Sequence, residues 1–427
     1  MEYQSNSDVV IIGAGLAGLT CGVLLHEAGK RVRILEATDR VGGRVVTDEL
    51  DGFRLDYGFQ VLLTAYPACK SMLDYDALQL RLFEPGALVR HRQSWKLLGD
   101  PWRRPGQAFS TAFNPVGSLG DKLRIARLRH DARRGSLQSL YERPNRSTEL
   151  ELRARGFSDR MIDHFFRPFI GGVFLDESLQ VSNRMLEFVF RMFSEGNIAI
   201  PAKGMSAIPK QLASRLPEDT VELRTTVQNV DGKRIRLSDD ATIECDHVVV
   251  ATESNAAGRL LDLPELSRSW GSTATLYYAT DELSESRKLL MLRGDESGPI
   301  QTACVLSNVA PEYAPPGKHL ISVSLASDPT VGSDPEEVDP AVRSQLRDWF
   351  GNNTDDWERL GIYHVPYGLP QSSLDPIHQS IRGSDYGREQ NVWIGGDHTE
   401  TPSIQGAMNS GIRIAEAILG SVPVPVN

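Results

Sequence analysis

A chain of 427 residues, 40% apolar and 24% charged, has the make-up of an ordinary globular protein. It is long enough for roughly two or three domain-sized units and a core that needs neither disulfides nor a structural metal. Its formal net charge of −10 excludes a nucleic-acid binder held by bulk electrostatics. The four cysteines, Cys21, Cys69, Cys245 and Cys304, form no CxxC pair, so the expectation is free buried thiols and no metal site.

The first eight residues are polar and carry no basic segment followed by an apolar one, so no signal peptide is expected and the protein is expected to be cytoplasmic. Residues 9–25 form an uncharged run at the lower edge of a membrane span. Its glycines at 13, 15, 18 and 22 point elsewhere. Residues 8–12 (DVVII) are a β-branched run that predicts a buried parallel strand. Residues 13–18 (GAGLAG) are a glycine-rich turn. Residues 16–28 predict a helix with Leu16, Leu19, Val23, Leu24 and Ala28 on one face, ended by Gly29. Residues 31–36 (RVRILE) predict a second strand, which completes a βαβ unit.

Residues 81–160 depart from the overall charge, with 17 Lys and Arg against 8 Asp and Glu. Trp95 and Trp102 stand beside Lys96, Arg103 and Arg104. Such a composition marks either a peripheral membrane contact or a solvated basic helix at 121–134; the helix is the preferred reading. Residues 165–175 and 185–193 are rich in Phe and Met, a pattern of core more often than of pocket. Residues 245–251 and 391–396 predict two more buried strands, residues 328–340 a solvated loop, and residues 404–419 a final helix with Ile412, Ala415, Ile418 and Leu419 on one face. One sheet is therefore assembled from residues 1–75, 200–260 and 356–427. Residues 76–199 and 261–355 build a second domain.

Gly13-x-Gly15-x-x-Gly18 lies between strand and helix, where a dinucleotide-binding fingerprint requires it. Gly13 permits the tight turn, Gly15 lets a pyrophosphate approach the backbone, and Gly18 lets helix and strand pack closely. Leu16 and Ala17 open the helix and offer N–H groups and a positive dipole end to phosphate. Glu36 ends the second strand, where a carboxylate accepts from adenosine ribose hydroxyls, with Ala37 beside it. In the following loop, EATDRVGGR, Gly43 allows close approach and Arg44 is the cation that reaches back toward pyrophosphate.

EATDRVGGR after a GxGxxG unit resembles the flavoprotein superfamily of amine oxidases, protoporphyrinogen oxidases and phytoene-type desaturases. Residues 52–60 (GFRLDYGFQ), 200–208 (IPAKGMSAI), 221–230 (VELRTTVQNV) and 394–411 (IGGDHTETPSIQGAMNSG) agree with it. The resemblance implies an α/β fold with a discontinuous Rossmann-type FAD-binding domain and a second, α+β substrate-binding domain. It places Gly58, Phe59 and Gln60 along the flavin edge and the backbone of Val227 against the adenine. Asp397, after Gly396, ends a strand at the carboxyl edge of the sheet and can accept a ribityl hydroxyl. Ile404, Gln405 and Ala407 open the last helix, whose N–H groups would face the flavin pyrimidine.

Hydride removal by flavin needs no acid–base motif, and none is visible. The catalytic residues stay unassigned apart from Gln60, which has the reach to hydrogen-bond substrate or flavin. His398 is read as structural. Many amine oxidases of the superfamily carry a lysine near the flavin; the corresponding segment here, STATLYY at 272–278, has none and offers Thr273. Residues 399–404 lack the aromatic residues of an amine-binding cage. No cysteine follows Cys304, so a cysteinyl flavin in the C-terminal loop is excluded and noncovalent FAD is expected. The leading expectation is an FAD oxidoreductase, desaturase-like or protoporphyrinogen-oxidase-like, that takes hydride from a C–C or C–N bond of a hydrophobic or cyclic small molecule. Oxygen or a quinone is its acceptor. The alternatives are an amine oxidase releasing hydrogen peroxide, and a non-redox flavin-dependent isomerase or binding protein.

Overall fold

The computed structural model describes residues 2–3, 7–107, 113–326, 337–371 and 379–420. The β-branched run at the N-terminus forms strand Val9–Ile12, buried on both faces at the middle of a five-stranded parallel sheet. Its order is Val221–Glu222, Val32–Leu35, Val9–Ile12, His247–Val250, Val392–Ile394. Val9 pairs with both Val32 and His247, and Val248 pairs with Val392, so strands from both ends and the middle of the chain meet in one register. Two helices, Leu16–Glu27 and Ile404–Leu419, cross tightly on this sheet. A Cβ on Gly411 would meet the Ala17 carbonyl oxygen at 2.4 Å, and one on Gly22 would meet Ile34 Cδ1 at 2.7 Å. Gly411 sets the distance between the two helices, and Gly22 the distance from helix to sheet.

The second unit is a seven-stranded sheet, largely antiparallel. Its order is Glu358–Pro370, Trp270–Thr280, His319–Leu325, Ile300–Val305, Leu290–Leu292, Gly86–His91, Ser94–Gly99. Side chains alternate between its faces, as the period of a strand requires. Leu276 and Tyr278 pack with Val342, Leu346 and Trp349 of helix Asp339–Phe350. Tyr277, between them, joins the core that contains helices Arg167–Phe174 and Asn183–Glu195. That face, together with those helices, closes over the carboxyl edge of the parallel sheet.

One expected boundary is corrected. Strand Glu358–Pro370 runs along Trp270–Thr280 from Ala279↔Glu358 to Trp270↔Pro370. The chain therefore returns to the parallel sheet at Val392–Ile394 rather than at 356. The expected solvated loop at 328–340 lies outside the described residues as far as 336, and helix Asp339–Phe350 begins within its end. All four cysteines are buried and unpaired.

Candidate active site

Gly13 takes φ +102°, and its N–H donates to the Leu35 carbonyl at 2.8 Å. Gly42 donates to the Ala14 carbonyl at 2.9 Å, which pins the second glycine loop over the first. Helix Leu16–Glu27 opens at Gly15 with no side-chain cap and no acidic residue in its first turn. Its first N–H groups thus lack the usual partners and carry the positive end of the dipole. A Cβ on Gly15 would meet nothing within 4 Å, so open space lies directly above these donors; the nearest atom to a Cβ on Gly43 is Gly15 Cα at 3.4 Å. Gly18 differs: a Cβ there would lie 2.0 Å from the Gly13 carbonyl oxygen. Its role is helix–strand contact, and it does not line the cavity.

Glu36 is buried yet fully engaged. One carboxylate oxygen accepts from Ala14 N–H at 2.8 Å, the other from Thr38 N–H and Oγ1 at 2.9 and 2.8 Å. This orients an anionic acceptor at the strand end. The residues fit the adenosine and pyrophosphate of FAD: a side-chain-free cradle, bare helix donors and a fixed carboxylate stand along one wall of a cavity of about 540 Å³.

The cavity brings together Gly13, Gly15, Leu16, Ala17, Glu36, Gly43, Arg44, Gly58, Phe59, Gln60, Gly396, Asp397, Ile404 and Ala407 from the sequence-based set. It does not bring in Ala37, Val227 or Gln405. Val227 pairs with Leu237 in a separate four-stranded sheet. Gln405 turns its Oε1 to accept from Ala68 N–H at 2.8 Å, which places it as a brace between two helices.

Several of these residues also take partners within the protein. Arg44 and Asp397 pair with each other at 2.6 Å; Arg44 also donates to the Gly368 carbonyl at 2.9 Å and lies over the Trp270 ring at 5.0 Å. The guanidinium thus ties the parallel-sheet unit to the seven-stranded sheet. Gln60 commits its amide nitrogen to the carbonyls of Arg44 and Tyr57, at 2.8 and 3.0 Å, so only its Oε1 remains to act in the cavity. At the last helix, Ser403 Oγ caps Gly406 N–H, and Ala407 N–H donates to the Ser403 carbonyl, so these two donors are engaged within the protein. His398 is buried, and neither ring nitrogen finds a partner among the described residues; burial pushes its pKa down to about 4 and keeps it neutral.

The other end of the cavity is built by residues that no local motif announced. Phe169, Val173 and Phe174 come from one helix, Met185, Phe188 and Val189 from the next, and Tyr66 and Leu290 complete the wall. Phe169 stacks on Phe165 and Phe193, with ring centroids 5.4 and 5.5 Å apart. The Phe- and Met-rich stretches are therefore both core and pocket. Thr273, Gln301, Thr302 and Ser324 supply polar atoms from three strands of the large sheet. Thr273 was singled out by the superfamily resemblance; for Gln301, Thr302 and Ser324 only the period-two alternation of their strands could have hinted at a place in the cavity.

Residues 16–419 match the family model described as flavin containing amine oxidoreductase. Phytoene dehydrogenase of Streptomyces griseus is 27% identical over 395 residues, covering 78% of this chain and 74% of that protein. Protoporphyrinogen oxidase 1, chloroplastic, of Arabidopsis thaliana is 21% identical over 486 residues, covering 96% and 88%. A structure of putrescine oxidase bound to putrescine superposes with a TM-score of 0.72 at 19% identity, covering 97% of this chain and 99% of that one, a likeness of fold. The bare helix N-terminus, the glycine cradle and the match over nearly the whole chain agree: this chain belongs to the flavin-containing amine oxidoreductase family and is an FAD-dependent oxidoreductase.

Proposed function

We propose that this enzyme removes hydride from a C–C or C–N bond of a hydrophobic or cyclic substrate, as a desaturase-like or protoporphyrinogen-oxidase-like enzyme. One observation carries the reading. Among the described residues, the charged ones lining the cavity are Glu36, Arg44, Glu253 and Asp397. Glu36 is held by Ala14 and Thr38, Arg44 and Asp397 pair with each other, and Glu253 caps helix Ser254–Leu261 through Asn255 and Ala256 N–H. Among the described residues, the Phe, Val and Met end carries no charge. An ammonium group placed there would lose its hydration without a carboxylate to replace it. An extended apolar or macrocyclic molecule gains from the same surface.

Bound FAD supplies the hydride acceptor, with oxygen or a quinone completing the cycle. The protein's part is positional. Phe169, Phe174 and Phe188 exclude water and hold the substrate by contact area, while the Thr273, Thr302 and Ser324 hydroxyls offer weak polar anchors. Thr273 is buried at the cavity wall and brings a hydroxyl where a lysine would bring a charge. FAD is held noncovalently: acid precipitation should leave all the flavin in the supernatant.

The test is bleaching of the flavin band under anaerobic conditions by a polyene, a porphyrinogen, and primary and secondary amines in turn. Bleaching by the polyene or porphyrinogen alone supports the proposal. Bleaching by an amine, with peroxide and an aldehyde or keto product on admitting air, establishes the amine-oxidase alternative instead. Flavin that is required for product formation yet never bleached supports the isomerase alternative.

No helix among the described residues is long and apolar enough to cross a membrane. A peripheral contact is favoured by a specific patch. Leu119 and Leu123, one turn apart on the basic helix Leu119–Ala132, are 61% and 67% exposed, and Trp102 and Phe113 are also exposed. Apolar side chains among arginines suit an anionic lipid surface. Pelleting with anionic but not neutral liposomes is the expected result; no pelleting with either removes the contact.

A further inference from the structure

We propose that His91, His164 and Asp295 form a binding site for a divalent transition-metal ion, outside the cavity and built from three separate elements. Each offers one ligand atom, and these atoms lie within 4.8 Å of one another. None of the three lines the FAD cavity.

Each residue is placed by its own backbone. His91 ends strand Gly86–His91 and is buried, at a hairpin whose turn residues Arg92 and Gln93 both take positive φ, 48° and 58°. Non-glycine residues pay for that conformation, so the tip is held by its surroundings. Asp295 follows Gly294, where a Cβ would stand 1.7 Å from the Arg90 carbonyl oxygen; glycine lets this turn press against the strand. Asp295 Oδ1 then accepts from Arg92 N–H at 3.1 Å, and Oδ2 stands 2.7 Å from His91 Nδ1. His164 lies in a π-helical turn, Ile162–Phe166, which rotates its side chain out of the α-helical pattern; such turns recur at functional sites.

A His91–Asp295 ion pair alone accounts for two of the three residues. It does not account for His164, whose Nδ1 is buried without a hydrogen-bond partner among the described residues. Two imidazole nitrogens and a carboxylate oxygen converging within 4.8 Å of one another form a donor set that suits a metal ion. The neighbouring acids are engaged elsewhere: Asp163 with Arg167, and Glu296 with Arg90 and Trp349. Two imidazoles and one carboxylate select zinc, cobalt or nickel over magnesium and calcium, which prefer oxygen. Zinc bonds of about 2.0–2.1 Å put tetrahedral ligand atoms roughly 3.3 Å apart, so the longest gap closes by side-chain rotation. The ion would clip the hairpin and the Asp295 turn to the helical layer at His164, whose chain neighbour Phe165 stacks on Phe169 of the cavity wall.

The test uses the FAD-loaded enzyme, stripped with a chelator and equilibrated with zinc at graded free concentrations. Bound zinc is read by elemental analysis against flavin content. The expected result is about one zinc per chain, with an apparent affinity at least tenfold weaker in His164→Gln and in Asp295→Asn at unchanged flavin content. Cobalt in place of zinc should give a ligand-field band beyond the flavin absorption in the wild type and not in the variants. His164→Ala repeats the test with the ligand deleted, and the two conservative variants serve if it does not fold. Zinc that fails to bind the wild type, or that binds both conservative variants as tightly, overturns the proposal.

Discussion

Asp56 ends strand Phe53–Asp56, two residues before Gly58 at the cavity, and is almost wholly buried. One oxygen accepts from Thr47 Oγ1 and from Met205 N–H at 3.0 Å, the other from the Tyr313 hydroxyl at 2.8 Å. Burial outweighs these three bonds and raises the carboxyl from 3.8 to about 6. The native state therefore holds this proton more tightly than the unfolded chain does. The sign follows from linkage. Stability from this group is complete below pH 3.8, where both states are protonated, and is lost as the pH rises through 6, where the buried group must ionise. The full difference is about 3 kcal/mol, of which about 1.4 kcal/mol is lost between pH 5 and 8. Asp56→Asn keeps the shape, leaves an oxygen for Thr47 and Met205, and can donate to Tyr313. Urea unfolding with excess FAD, followed by tryptophan fluorescence, should show wild type losing about 1.4 kcal/mol relative to the variant across that range. Parallel stability curves for the two proteins between pH 5 and 8 would refute the reasoning.

Gly15→Ala and Gly18→Ala should separate cofactor contact from packing. The first meets no protein atom and should keep its unfolding midpoint in the flavin-free form while FAD affinity falls at least tenfold. The second collides with the Gly13 carbonyl and should lower the midpoint of the flavin-free form as well. Glu36→Ala removes the acceptor proposed for the adenosine ribose hydroxyls, and should cost about 1–3 kcal/mol of FAD binding, read by flavin retained on ultrafiltration. Val173→Trp fills the apolar end of the cavity; kcat/KM for an extended substrate should fall at least tenfold, with less effect on a compact one. Unequal retention of large and small substrates is the deciding measurement. Leu123→Ser should weaken pelleting with anionic liposomes without changing flavin content.

The parts of this protein legible in its sequence are those whose chemistry is local. The βαβ unit was readable because strand, turn, helix and second strand occupy consecutive residues, with glycines where backbone meets backbone and Glu36 at the strand tip. The last strand and helix, ending and beginning around Asp397 and Ile404, were readable for the same reason. Tertiary structure alone decided the rest. Arg44 and Asp397 lie 353 residues apart, and nothing local shows that each neutralises the other. The turn of Gln405 toward Ala68 and the departure of Val227 into a separate sheet depend on helix packing and strand pairing. The apolar end of the cavity draws on two helices and several strands, and a Phe in such a helix reads the same whether its ring faces core or cavity. Burial of Asp56 and the meeting of His91, His164 and Asp295 likewise come from folding distant segments onto one another. Short-range sterics and backbone hydrogen bonds are encoded by neighbours in the chain; dielectric environment, charge pairing and cavity shape exist only once the layers have closed.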